Sequence, residues 1–232
     1  MSGIEKETFF RLLREQCVLP VNDCQAEQFY RYYGELCRVN AYMNLTAITE
    51  PEAVIKKHFC DSLLPLSLPY LTKGLCCVDV GSGAGFPGIP IGIMRPDLQI
   101  MLLDSLGKRV EFLSMICREL SLENCRAVKS RAEDAKEYRE SFDVAFSRGV
   151  ARLSVLSEYC LPLVKKGGVM IALKSLSARD EAAEATHAAE VLGGRICGVF
   201  GGEERNAVVI EKVLPTPEKY PRRAGIPEKR PL

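Results

Sequence analysis

No run of apolar residues in this chain is long enough to cross a bilayer, and no apolar signal segment stands at its start. The expectation is a soluble, cytoplasmic protein with no membrane partner. Ten cysteines are present, but none forms a Cys-x-x-Cys pair and their spacing is irregular. A structural zinc site needs paired ligands at short spacing, so reduced thiols filling a core are expected, with no metal. Charge of one sign is also missing: 31 basic against 30 acidic residues leave a net charge of +1. Any nucleic-acid footprint must therefore be local. Internal repeats and low-complexity tracts are lacking too, which excludes solenoids and disordered arrays. Finally, no Gly-Lys-Ser/Thr follows the glycine-rich stretch, which excludes a P-loop.

What is present centres on residues 75–88, LCCVDVGSGAGFPG. The apolar run Leu75 to Val80 is too short for a helix and ends in punctuation, as a strand buried in a parallel sheet does. Gly81, Gly83, Gly85 and Gly88 then let the backbone approach a ligand with no Cβ in the way. A tight turn without a ligand is the bland alternative. Against it stands Asp104, which closes the next strand, QIMLLD, where an acidic side chain can accept hydrogen bonds from ribose hydroxyls. Asp79, just before the loop, is placed to hold the loop backbone or to meet a positive group on the ligand.

Around this stretch the chain divides into three parts. Residues 1–70 read as a helical extension: Phe9, Phe10, Leu12 and Leu13 share one face, and Phe29, Tyr30, Tyr33, Leu36 and Cys37 repeat at helical spacing. A third helix is expected from Thr49, where Thr49-x-x-Glu52 has the form of a capping box, through Phe59 to Leu64. On pattern alone this unit is no more than a packing lid. Residues 71–214 alternate strand and helix. Strands are expected at 75–80, 99–103, 126–129, 143–146, 169–173, 195–200 and 207–213, with helices at 90–95, 107–120, 153–163 and 179–192. Such alternation builds a parallel sheet covered on both faces. Gly201-Gly202-Glu203 makes the last two strands an antiparallel hairpin. A mostly parallel seven-stranded sheet ending that way is the Rossmann-like fold of S-adenosylmethionine (AdoMet)-dependent methyltransferases. Residues 215–232 form a tail with Lys219, Arg222, Arg223, Lys229 and Arg230 against Glu218 and Glu228. It reads either as an RNA-binding arm or as a solvated, disordered end.

A dinucleotide is the competing ligand, because Gly83, Gly85 and Gly88 match G-x-G-x-x-G. That frame starts two residues late and contains Pro87; counted from Gly81, its third position is Phe86. A phenylalanine there suits an adenine ring better than a close helix–strand contact.

VDVGSGAGFPGIPIGIMRPDLQIMLLDSLGKRVEFL, with NLTAI at 44–48, HFCDS at 58–62, SRAED at 130–134, SRGVARL at 147–153 and ALKS at 172–175, closely resembles the bacterial 16S rRNA (guanine-N7) methyltransferase family, RsmG or glucose-inhibited division protein B. The likeness covers nearly everything from Asn40. It implies AdoMet contacts at Gly81, Phe86, Ala132, Glu133 and Arg148, to which Gly83 and Asp104 are added from the strand-end argument. It implies catalytic or RNA-facing roles for Asn44, His58, Lys108, Arg109, Arg131, Arg148 and Lys174, with Arg222 and Arg223 in the basic tail. His58 otherwise reads as an ordinary surface histidine beside Lys56 and Lys57. Lys108 and Arg109 open a helix, against its dipole, which suits phosphate contacts better than decoration.

The implied reaction methylates N7 of one guanine in the decoding region of 16S rRNA, in the 30S subunit, by a monomeric enzyme. N7 carries a lone pair at neutral pH, so no general base is needed and catalysis is positioning and water exclusion. Arg131, Arg148 and Lys174 would then bind base edge or phosphate. N7 is out of reach in the narrow groove of an A-form helix, so the target lies in a loop or is flipped out. Two other classes stay open: a non-enzymatic rRNA-binding or assembly module on the same fold, and a small-molecule methyltransferase.

Overall fold

Two amphipathic helices open the chain because their apolar residues return every three or four positions. The computed structural model describes residues 4–202 and 205–232. In it α1 (Lys6–Gln16) buries Phe9 and Leu13, and α2 (Asp23–Met43) buries Phe29, Tyr32, Tyr33, Leu36 and Val39. The N-terminus of α2 is closed by a capping box: Asn22 accepts from the Gln25 backbone, and the Gln25 side chain accepts from the Asn22 N–H. The box expected at Thr49-x-x-Glu52 does not form. There α3 (Pro51–Val54) has Glu50 at its cap with no side-chain bond, and the chain continues as a π-helical segment, Ile55–Cys60. Pro51 in the first turn, where its missing N–H costs nothing, sets the start instead.

The sheet follows, with β1 (Cys76–Val80), α4 (Gly88–Met94), β2 (Gln99–Asp104), α5 (Gly107–Glu119), β3 (Cys125–Lys129), β4 (Phe142–Arg148), α6 (Leu153–Cys160), β5 (Val164–Lys174), α7 (Ala178–Glu184), α8 (Thr186–Val191), β6 (Gly194–Gly201) and β7 (Asn206–Lys212). Strand order is β3-β2-β1-β4-β5-β7-β6. The first five strands are parallel, and β7 enters antiparallel between β5 and β6. The expected antiparallel ending is therefore present; Glu203 of its turn lies outside the described residues. Where one helix was expected over 179–192, there are two, α7 and α8, meeting at Ala185. β5 begins at Val164, five residues before the expected start.

Each sheet face carries its own apolar layer. On one side Val78, Val80, Met101, Ala145, Met170 and Val208 pack against α6, α7 and α8. On the other, Cys77, Ile100, Leu102, Val144, Phe146 and Ile171 join a cluster that continues without a break through α4 and α5 into Phe9, Phe29, Tyr32 and Phe59 of the N-terminal helices. The helical extension has no separate core. Polar ties reinforce the join: Gln25 Nε2 donates to Ile93 O at 3.4 Å, and Gln28 Nε2 donates to Leu120 O at 2.8 Å.

The C-terminal tail docks on the α/β core and carries a short helix, α9 (Ile226–Lys229). Lys212, fully buried, donates to Leu161 O, Val164 O and Thr216 Oγ1 at 2.6–3.0 Å and pairs with Glu140. Arg139 donates to Tyr220 O at 2.7 Å. Arg222 meets both oxygens of Glu158, a carboxylate with 0 % exposure. The reading of the tail as a disordered end is thereby corrected, and Arg222 is the partner of a buried anion. Arg223 stays exposed.

Candidate functional site

The parallel strands aim their carboxyl ends at one edge, and the loops after β1, β2, β3 and β4 meet there around a cavity of about 610 Å³. Among its lining residues are Gly81, Ser82, Gly83, Asp104, Arg131, Ala132, Glu133 and Arg148. This is the crevice at the strand-order reversal between β1 and β4, where open sheets bind ligands.

The glycine loop is held from below by two carboxylates. Asp79 Oδ2 accepts from Gly88 N–H at 2.9 Å and from Ser82 Oγ at 2.6 Å. Burial pushes the Asp79 carboxyl up to about 6, against the pull of those two donors and of Arg148. Asp79 is fully buried and does not line the cavity, so of its two expected roles the loop-holding one is seen. Asp104 Oδ2 accepts from Gly83 N–H and Oδ1 from Leu106 N–H, each at 2.9 Å, with Arg109 at 3.7 Å. Both oxygens of Asp104 thus serve the backbone first; what remains for a ribose are their second lone pairs.

Gly81 and Gly83 both have positive φ, 73° and 60°. A Cβ on Gly81 would stand 2.4 Å from Val150 Cγ2, whereas one on Gly83 would meet nothing nearer than a backbone oxygen at 3.8 Å. Gly83 therefore leaves open space for a ligand, and a nucleoside-sized cofactor fits the cradle.

Phe86 faces both the cavity and the N-terminal helices. Its ring is 5 % exposed and already has neighbours: the imidazole of His58 stacks at 4.7 Å, the Arg148 guanidinium lies 4.7 Å from its centroid, and Tyr32 sits at 5.5 Å. It joins the N-terminal helices to the loop and at the same time lines the first cavity. Tyr32, buried in α2, donates its hydroxyl to Ala84 O of the same loop.

Arg148 ends β4 and reaches back to the π-helical segment. It donates to Lys57 O at 3.1 Å, to His58 O at 3.4 Å and to His58 Nδ1 at 3.3 Å. With Nδ1 accepting, the proton of a neutral ring sits on Nε2, which lies 2.7 Å from Thr46 Oγ1. Burial first, then the charge of Arg148, brings His58 down to about 4. Burial also lowers Arg148 from its ordinary value.

Beyond this wall lies a second cavity of about 460 Å³, lined by Lys57, Asp61, Lys174, Ser175, Arg205 and Asn206. His58, Arg148 and Gly149 line both cavities. Lys174 donates to Ala151 O at 2.6 Å and pairs with Glu181 at 2.7 Å. Arg205 pairs with Asp61.

The remaining candidates spread around the rim. Arg131 is exposed on the first cavity and Arg109 half-exposed on it; Lys108 is exposed and outside the lining. Asn44 is exposed, in the left-handed region at φ 49°, where it ends α2; its neighbours Leu45 and Thr46 line the cavity. Glu133 is buried and accepts from Gly225 N–H at 3.4 Å. Glu228 of the tail and Tyr159 also line the first cavity. Sequence reasoning missed Thr46, Tyr32, Asp61, Arg205 and Glu228, because their positions depend on long-range packing.

The strand order, the antiparallel β7 and the glycine loop over a crevice define an AdoMet-dependent methyltransferase fold. Solved structures agree: a SAM dependent methyltransferase from Aquifex aeolicus superposes with TM-score 0.58 at 17% identity, over 73% of this chain and 97% of that one. A 16S rRNA (adenine(1408)-N(1))-methyltransferase variant from Catenulisporales acidiphilia gives 0.53 at 15% identity, over 62% and 87%. Within that class the chain belongs to the rRNA small subunit methyltransferase G (GidB) family, whose model matches residues 25–207. Relatives named ribosomal RNA small subunit methyltransferase G are similar over almost the whole length. That of Lactobacillus johnsonii is 50% identical over 91% of this chain and 93% of its own, and that of Exiguobacterium sibiricum 46% over 99% and 100%.

Proposed function

We propose that this protein transfers a methyl group from AdoMet to N7 of one guanine in 16S rRNA, acting on the 30S subunit or its assembly intermediates in the cytoplasm. The observation that carries the reading is the pair of cavities at the strand ends, which share His58, Arg148 and Gly149 as lining. The first suits the cofactor: the open side of Gly83, the buried Glu133 and the loop held by Asp79 and Asp104 form its bed. When bound, AdoMet supplies a methyl activated by the sulfonium. The second cavity suits the acceptor base.

The protein's own part is orientation and exclusion of water. Lys174 and Arg205 are already paired with Glu181 and Asp61, so two of the cations around the acceptor chamber are neutralised. That suits a base which gains positive charge on methylation. His58 stays neutral across physiological pH and so does not add to that charge. Arg148 lines both chambers, which supports its double assignment to cofactor and base. Arg131, Lys108 and Arg223, all exposed, are assigned to phosphates.

The test is transfer from labelled AdoMet to 30S particles lacking the modification, with N7-methylguanosine mapped by mass. Label on another atom or another RNA overturns the guanine assignment; no label in RNA overturns the enzyme reading in favour of an assembly module. Turnover without RNA would indicate a small-molecule acceptor.

A further inference from the structure

We propose that Cys17 and Cys60 form a reversible thiol/disulfide pair, a modification site whose oxidant is a hydroperoxide. The two sulfurs, 43 residues apart in sequence, stand 2.7 Å from each other. This lies far inside ordinary non-bonded sulfur contact and only a short step from the bonded length of about 2.05 Å. Cys17 caps the end of α1 and Cys60 ends the π-helical segment, so two separate elements deliver the thiols to one point. Neither is sealed in the core, unlike Cys77 and Cys160.

Access and polarity fit the chemistry. A cavity of about 320 Å³ opens onto both sulfurs, with Val18, Leu19, Leu63 and Arg205 among its walls. The hydrogen bond shared with Cys60 holds the Cys17 thiol below its ordinary value, burial opposes this, and Arg205 adds to the lowering. Cys60 moves the opposite way, first through that same bond and then through burial. The two thiols share one hydrogen bond across 2.7 Å, so either sulfur can donate it; with Cys17 as the nucleophile the chemistry takes two steps, and the same two hold with the sulfurs exchanged.

In the first step the Cys17 thiolate attacks the terminal oxygen of ROOH, the O–O bond breaks, and RO⁻ takes a proton to leave as ROH. Cys17 is then a sulfenic acid. In the second step Cys60 sulfur attacks Cys17 sulfur, the S–O bond breaks, and hydroxide leaves with the Cys60 proton as water. Both thiols are oxidised and one peroxide is reduced; a cellular dithiol reverses the bond by exchange. The cross-link ties α1 covalently to the segment whose carbonyls hold Arg148.

The experiment treats the full-length protein with stoichiometric hydrogen peroxide, blocks free thiols with an alkylating reagent and maps peptides by mass. The expected result is loss of two alkylatable thiols out of ten and a Cys17–Cys60 linked peptide, both reversed by dithiothreitol. Cys17→Ser and Cys60→Ser should each abolish the link. The wild-type map decides the matter even if a variant folds poorly. Retention of both thiols, oxidation of Cys17 without linkage, or linkage of another pair overturns the proposal.

Discussion

The guanidinium of Arg148 stands 3.3 Å from Nδ1 of His58 and also holds the carbonyls of Lys57 and His58. Burial first, and then the cation that a proton on Nδ1 would face, bring the ring to about 4 from an ordinary 6.5. Because the folded value is below the unfolded one, the stabilisation is present above about pH 6.5 and is lost as pH falls towards 4. In an NMR titration the His58 ring signals should stay in their neutral positions from about pH 8 down to pH 5. Arg148→Gln should move the midpoint upward.

Asp79 has the opposite sign. Its folded value of about 6 exceeds the ordinary 3.8, so its contribution is complete at low pH and is lost as pH rises through about 6. Asp79→Asn should remove this slope, and its thermal midpoint should gain on wild type above pH 6. Asp79→Ala should lose about 1–3 kcal/mol at every pH, because the Gly88 N–H is left buried without an acceptor.

The two loop glycines separate stability from binding. Gly81→Ala strains a positive φ and drives its methyl into Val150, so the melting temperature should fall. Gly83→Ala carries similar backbone strain of about 1–2 kcal/mol but points its methyl into open space. Calorimetry with AdoMet should therefore show a larger affinity loss for Gly83→Ala, at similar or higher stability.

Tail residues should divide in the same way. Arg222→Ala leaves the buried Glu158 unpaired and should cost about 3–5 kcal/mol, with no special effect on salt dependence. Arg223→Ala should leave the melting temperature unchanged. If Arg223, Lys108 and Arg131 touch phosphates, each alanine variant should lower the slope of log affinity against log salt by about one. Unchanged slopes in filter binding to rRNA would remove these residues from the interface.

The fold was legible because its signals are local: apolar strands ended by glycines, helices with one apolar face, and Gly201-Gly202 before the last strand. The site was only half legible. Strand-end logic found the loop, Asp104 and Arg148, but a sequence does not say which atoms a carboxylate will serve. Asp104, which reads as a ribose acceptor, serves the backbone N–H groups of Gly83 and Leu106. Phe86 lines the cavity, and its ring neighbours His58 and Tyr32 come from segments 28 and 54 residues earlier by number, which no local pattern shows. Arg222 looked like its neighbour Arg223 until the buried Glu158 appeared beside it. The capping box at Asn22 and Gln25 was readable in the same pattern as the one expected at Thr49. The pattern alone does not decide which candidate forms.

Tyr32 of α2 donates its hydroxyl to the carbonyl of Ala84, in the middle of the glycine loop. The helical unit that reads in sequence as a detachable cover is thus structural scaffolding for the nucleotide bed. Trimming the first seventy residues would remove that tie and strip the apolar cluster the helices share with the sheet.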